Sequence, residues 1–134
     1  MLLGTVAHAQ ESTLPKNVEQ AFTKKYPKAE KIDSYEDNGL WVVVFQEPDA
    51  ENTSEAFFTT TAEWKKTQSY MDESTLPETL KNHLTKKYKD FYYSEVKLTE
   101  TATETYLEVT IDTDTETFYV KADKAGNILE EKQL

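Results

Sequence analysis

His83 is the only histidine beyond residue 10, and the chain has no cysteine. Thiol nucleophiles, disulfide frameworks, Cys-ligated zinc and iron–sulfur centres are therefore excluded, and a serine relay or a His-rich metal site would have to be built around one imidazole. His83 sits on an apolar helical stripe and reads as a half-buried helix-face residue. The 25 acidic residues offer no glycosidase-like pair that can be singled out. There is no GxGxxG, Walker loop or HExxH, so no catalytic residues are assigned and the chain is read as a non-enzyme without a cofactor. Two acidic stretches could still supply oxygen ligands to a hard cation. In Asp112-Thr113-Asp114-Thr115-Glu116 the carboxylates alternate, but Thr117 stands where an EF-hand loop needs glycine and the later bidentate Glu is missing. Glu47-Pro48-Asp49-Ala50-Glu51, running on to Glu55, is the second. Weak calcium binding at Asp112, Asp114 and Glu116 is the alternative reading; solvated, mutually repelling loops are the bland one.

The elements that must position these residues are set by an internal repeat. Glu11-Ser12-Thr13-Leu14-Pro15 recurs as Glu73-Ser74-Thr75-Leu76-Pro77, and Thr23-Lys24-Lys25-Tyr26 as Thr85-Lys86-Lys87-Tyr88, both displaced by 62. The chain then divides into residues 11–72 and 73–134, with 7 Lys against 12 acids in one and 8 against 13 in the other. The acidity thus belongs to the repeated unit and not to a tail. Each unit opens with a helix: Thr13 or Thr75 is the expected cap, and Pro15 or Pro77 sits where a missing N–H costs nothing. Val18, Ala21, Phe22 and Tyr26, repeated as Leu80, His83, Leu84 and Tyr88, form the buried stripe. Segments rich in Thr, Tyr, Val and Phe follow, predicting strands near 30–37, 40–47, 55–62, 65–71, 92–100, 104–112, 116–122 and 127–133. Asn38-Gly39 and Ala125-Gly126-Asn127 supply hairpin turns, so neighbouring strands run antiparallel. The expected fold is α+β: two tandem repeats, each a helix plus a four-stranded antiparallel sheet, helices on one face.

Aligning the second strands of the two repeats at a displacement of 66 matches Trp41, Val43 and Phe45 with Leu107, Val109 and Ile111, the face turned to the helices. The opposite faces differ: Leu40, Val42 and Val44 in the first repeat, Tyr106, Glu108 and Thr110 in the second. Folding against helices on one side requires apolar residues only at alternate positions. The extra apolar positions suggest either a partner-binding face or residues covered by the 47–55 loop, which on a Phe57-to-Phe118 match is five residues longer than its counterpart. Nearby segments add Tyr35, Phe57, Phe58, Trp64 and Tyr70, some of which must share that face. The assigned partner-binding residues are Leu40, Val42, Val44, Phe58, Trp64 and Tyr106.

The 134 residues carry 15 Lys, no Arg and a net charge of -10, which opposes docking on nucleic acid or anionic lipid. With 37% hydrophobic and 12% aromatic residues the chain can still form a core. Met1 to Ala9 ends in the small-x-small pattern of a signal-peptidase site, so residues 1–10 read as the remnant of a secretory signal. No stretch reaches the ~18 apolar residues of a membrane span. The expected protein is periplasmic or secreted and monomeric.

The helix opening Leu14-Pro15-x-x-Val18-x-x-x-Phe22-x-x-x-Tyr26-Pro27-x-Ala29, the strands after it, and the ending Val120-x-Ala122-Asp123-x-Ala125-Gly126-Asn127-Ile128-Leu129 resemble the PepSY-like, β-lactamase-inhibitor-protein-like domains of exported bacterial proteins. The resemblance spans nearly all of residues 11–134. It implies helices over one side of an antiparallel sheet whose other side stays open, and, in the inhibitor member, an open face that grips an enzyme. The contact residues of that member have no one-to-one match here. Function is therefore expected to be binding: an inhibitor-like or peptide-interaction module whose partner is an unknown protein or peptide, or alternatively a calcium-responsive envelope protein.

Overall fold

The computed structural model describes residues 13–134, so the signal-like segment over 1–10 lies outside the described residues. In chain order the elements are helix α1 (Lys16–Lys25), strands β1 (Glu30–Asp37), β2 (Leu40–Gln46), β3 (Ser54–Phe58) and β4 (Trp64–Tyr70), a 3₁₀ turn at Glu73–Thr75, helix α2 (Glu78–Lys87), and strands β5 (Tyr92–Thr101), β6 (Thr105–Asp112), β7 (Thr117–Ala122) and β8 (Ile128–Gln133). The strands lie in one eight-stranded sheet in the order β1 to β8, with antiparallel ladders. The fold is α+β. The first compact unit ends at Thr67 and the second begins at Gln68, inside β4, whereas the sequence displacement places the division between 72 and 73. No helix among the described residues is long and apolar enough to cross a membrane.

The prolines take the position before each helix, not the first helical one. The Pro15 carbonyl accepts from Glu19 N–H at 2.9 Å and the Pro77 carbonyl from Lys81 N–H at 3.1 Å, and neither helix start has a side-chain cap. The expected threonine caps are thus absent: Thr75 belongs to the 3₁₀ turn, where its hydroxyl donates to the Asp72 carbonyl at 2.7 Å. Both helices end at a tyrosine, whose N–H bonds back to Phe22 or Leu84, after two lysines that suit the negative helix terminus.

In the first unit Val18 and Phe22 of α1 pack with Leu14, Trp41, Val43, Phe45, Ala56 and Phe58. In the second, Leu80 and Leu84 of α2 join Leu76, Tyr88, Val96, Leu107, Val109, Ile111, Val120 and Ala122. Each core thus lies between one helix and the alternate residues of its strands, as the period of 2 requires.

Ladder registers reproduce the displacements read from the sequence. The β1·β2 ladder shifts between Lys31 and Asp33 and the β5·β6 ladder between Tyr93 and Glu95, 62 residues on (93−31). Lys31 faces Phe45 and Tyr93 faces Ile111, a displacement of 66 (111−45). One step differs. Phe45 faces Ser54 and Ile111 faces Phe118, separations of 9 (54−45) and 7 (118−111), so the 47–55 connection is two residues longer and not five. The match of Phe57 with Phe118 fails because the counterpart of Phe118 is Ser54. The third strand ends at Phe58 because Thr59–Glu63 folds into a turn: Thr59 N–H donates to the Glu63 carbonyl at 2.8 Å and Ala62 takes φ 69. Asp123–Asn127 makes the same turn, with Asp123 N–H donating to the Asn127 carbonyl at 2.9 Å and Gly126 at φ 98.

Candidate functional surface

The side of each unit's strands turned away from its helix is built one cross-strand row at a time. In the first unit Tyr35 faces Val42, which faces Phe57, and Lys66 of β4 places its Nζ 4.7 Å from the centre of the Phe57 ring. Tyr35 donates its hydroxyl to Glu55 at 3.1 Å. Burial, reinforced by the Glu55 charge and this bond, raises its phenol above the usual range. Leu40 and Val44 flank Val42 and are half-buried.

In the second unit the equivalent row is ionic. Lys97 faces Glu108, which faces Lys121, which faces Glu130, an alternation of charge across four strands. Glu108 accepts from Thr99 Oγ1 at 2.5 Å, Tyr119 Oη at 2.5 Å and Gln68 Nε2 at 3.5 Å. Lys121 lies 4.1 Å from the centre of the Tyr106 ring, and Lys97 and Lys132 pair with Glu95 and Glu130 at 3.5 and 3.4 Å. Burial, then the Glu108 hydrogen bond and charge, push the Tyr119 phenol far up; burial and the charges of Glu108 and Glu104 raise Tyr106.

The six assigned partner-binding residues therefore separate. Leu40, Val42, Val44 and Tyr106 occupy the helix-free side, but Phe58 and Trp64 do not. Phe58 faces Trp41 inside the helix-side core. Trp64 packs against the same core, donates Nε1–H to Thr67 at 2.8 Å and carries Lys25 Nζ 3.8 Å from its ring centre. Phe57, not Phe58, takes the open side, because Phe57 pairs with Val42 while Phe58 pairs with the helix-side Trp41. Val42 is 0% exposed and Phe57 8%, against 36% for Tyr35. What the surface offers a partner is thus the rim of the row, namely Tyr35, Leu40 and Val44.

The acidic loop residues are placed apart in character. Asp112 is half-buried and accepts from the Thr117 hydroxyl; Asp114 and Glu116 are exposed in a turn closed by Thr113 N–H bonding the Glu116 carbonyl at 2.8 Å. Among the described residues no group of three His, Cys, Asp or Glu side chains is gathered as metal ligands.

One polar cluster was invisible in the motifs. On the helix side, Glu131 of β8 receives His83 Nε2 at 3.1 Å, Lys87 Nζ at 3.0 Å and the Tyr88 hydroxyl. Burial pushes this carboxyl up, but the bonds from Tyr88, Lys87 and His83 outweigh it and hold it below the usual range. The histidine thus has a structural partner. The signal that could have found it is the displacement of 64 between β4 and β8 (131−67), which matches Glu131 with Thr67, partner of Tyr26 at 2.6 Å.

The family described as "Putative beta-lactamase-inhibitor-like, PepSY-like" matches residues 39–130. Among solved structures, a BLIP-like protein of Bacteroides fragilis is similar at 20% identity over 95% of this chain and 91% of its own, TM-score 0.79. A DUF2874 family protein of Bacteroides ovatus is similar at 20% identity over 91% and 89%, TM-score 0.79. A protein of Bacteroides eggerthii described as one of the "putative periplasmic proteins" is similar at 18% identity over 91% and 90%, TM-score 0.79. No curated protein matches the chain.

Proposed function

The chain belongs to the PepSY-like, beta-lactamase-inhibitor-like family, and from that premise we propose that it is a non-enzymatic, exported binding protein that holds a protein or peptide partner on the helix-free face of its first unit. The observation that carries this reading is the contrast between equivalent rows: Tyr35–Val42–Phe57 is apolar where Lys97–Glu108–Lys121 is charged. A face that only had to be solvated could have kept the charged row in both units; Val42 and Phe57 are buried, so what this row leaves accessible is its apolar rim, and an apolar patch on a surface marks an interaction site. Aromatic and aliphatic rim residues such as Tyr35, Leu40 and Val44 are suited to anchor a partner. The shared helix-then-four-strands order and the common displacements support descent of both units from one duplicated unit. The similarity to a protein described as "putative periplasmic" and to a BLIP-like protein supports export and a protein partner.

The test presents wild-type protein and the variants Tyr35→Ala and Val44→Lys to an envelope extract, identifies what the wild type alone retains, and measures affinity with that protein purified. The reading predicts at least a tenfold loss of affinity with little change in melting. Equal binding by both folded variants would place the function on another surface.

A further inference from the structure

The charges around the first unit's apolar row specify the chemistry of what fits there. By ladder register, Glu30, Asp33 and Asp37 of β1 and Glu55 of β3 point to the same side as Val42, and Lys66 reaches that side over the Phe57 ring. Among the described residues none of Glu30, Asp33 and Asp37 pairs with a lysine; the ion pairs of this unit's neighbourhood go elsewhere, as Lys31 to Glu19 at 3.2 Å. All three acids are exposed. The equivalent side of the second unit carries comparable acids, yet lysines stand among them: Lys97 and Lys121 lie opposite Glu108, Lys121 lies opposite Glu130, and Lys97–Glu95 and Lys132–Glu130 are ion pairs. The second unit's side thus interleaves lysines with its acids, whereas Glu30, Asp33 and Asp37 have no lysine partner among the described residues. Unanswered carboxylates bordering an apolar row favour a ligand that brings cations of its own, since complementary charge steers encounter and excludes acidic competitors.

We infer that the first unit's helix-free face takes a protein segment presenting lysine or arginine side chains on either side of an apolar contact. The inference rests on the binding reading above and adds the partner's charge. The other role open to these carboxylates is to guard the edge of β1 against pairing with other chains.

The experiment uses the ¹⁵N-labelled full chain and three synthetic heptapeptides: Lys-Val-Lys-Phe-Lys-Val-Lys and its counterparts with Glu or Ser in place of Lys. Chemical-shift perturbation maps each site. The expected result is that the lysine peptide alone moves amides of Asp33, Tyr35, Asp37, Leu40 and Val44. Its affinity should fall about tenfold or more between 20 and 200 mM salt, as screening of exposed charges demands, and by a similar factor in Asp33→Asn/Asp37→Asn at unchanged melting temperature. Binding of the serine peptide to the same residues with equal affinity would overturn the charge assignment and leave the binding face standing. Shifts from the lysine peptide spread over other acidic surfaces, or none at all, would remove both. If Asp33→Asn/Asp37→Asn binds the lysine peptide as well as wild type and instead self-associates in sedimentation, the carboxylates only guard the edge and the inference fails.

Discussion

The hydroxyl of Tyr88, the residue that ends α2, donates to the carboxylate of Glu131 on β8, 43 positions later. In the first unit Tyr26 ends α1 in the same way, and its hydroxyl lies 2.6 Å from Thr67 Oγ1 on β4. One architectural latch, a tyrosine tying the end of the helix to the fourth strand, is thus built neutral in one unit and charged in the other. The charged version also gathers Lys87 and His83, whose counterparts are Lys25, stacked on Trp64, and Ala21. The charge difference makes the second latch sensitive to pH.

Glu131 is the group that acid should find. Its folded-state value lies below the ordinary 4.5, so its contribution to stability is complete above the unfolded value and is lost as pH falls through the lower folded value. The Glu131→Gln variant should cost about 1–2 kcal/mol at pH 7, as the loss of charge-assisted hydrogen bonds does. Measured between pH 6 and pH 3, its melting temperature should fall less than that of the wild type. Parallel pH profiles for the two proteins would show that the Glu131 cluster contributes nothing as an ion.

Base should act on the phenols. Tyr88 and Tyr119 both give their hydroxyls to carboxylates, and burial followed by those bonds holds them well above the ordinary value of 10.0. A raised folded value means that their stabilisation is complete below the unfolded value and declines as pH climbs toward the folded one. Absorbance titration near 295 nm should therefore show two of the 8 tyrosines ionising only with unfolding. Glu108→Gln should return Tyr119 toward its ordinary value while leaving Tyr88 unmoved.

The two equivalent turns give a matched pair of tests. Gly126 adopts φ +98, and a Cβ there would stand 3.0 Å from the Leu80 nitrogen and from Pro77 Cβ at the start of α2. Gly126→Ala should destabilise by about 1–3 kcal/mol, combining left-handed strain with overpacking. Ala62 already bears that strain at φ 69. Ala62→Gly should therefore raise stability by about 0.5–1 kcal/mol, the relief of the left-handed conformation less the entropy of a new glycine. Chemical denaturation of both variants reads the two signs.

Helices and most strand bounds are legible because period and turn chemistry agree locally: the Phe22 stripe, Asn38-Gly39 and Gly126 each point one way. What the pattern does not carry is which side of the sheet a residue takes where the length of the preceding connection is not fixed. Phe57 and Phe58 exchange sides once Ser54, and not Phe57, is matched with Phe118, and Trp64 packs on the helix side, where its indole N–H donates to Thr67. Nor does the pattern hold polar contacts between distant positions. Glu131, His83 and Tyr88 are unremarkable in sequence and meet only because β8 returns beneath α2. The threonine cap misleads because α2 starts after Pro77, two residues beyond Thr75, which closes the preceding 3₁₀ turn.

Val42 and Glu108 hold equivalent places in the two rows, which invites the exchange Val42→Glu. At its own place the carboxylate of Glu108 has Lys97 and Lys121 across the neighbouring strands and accepts from Thr99 and Tyr119. At position 42 the cross-strand neighbours are Tyr35 and Phe57, and the site is 0% exposed. A glutamate there would be buried among apolar side chains with its charge unanswered, which costs several kcal/mol unless the group takes up a proton. The variant should be severely destabilised at pH 7 and recover part of that loss as pH falls toward 5, the reverse of the wild type's response to acid. Adding Tyr35→Lys and Phe57→Lys to Val42→Glu rebuilds the ionic row of the second unit and should restore most of the stability. Equal melting of the single and triple variants would show that Val42→Glu fails through lost packing and not through an unpaired charge. A single variant as stable as the wild type would mean that the row is not buried in solution.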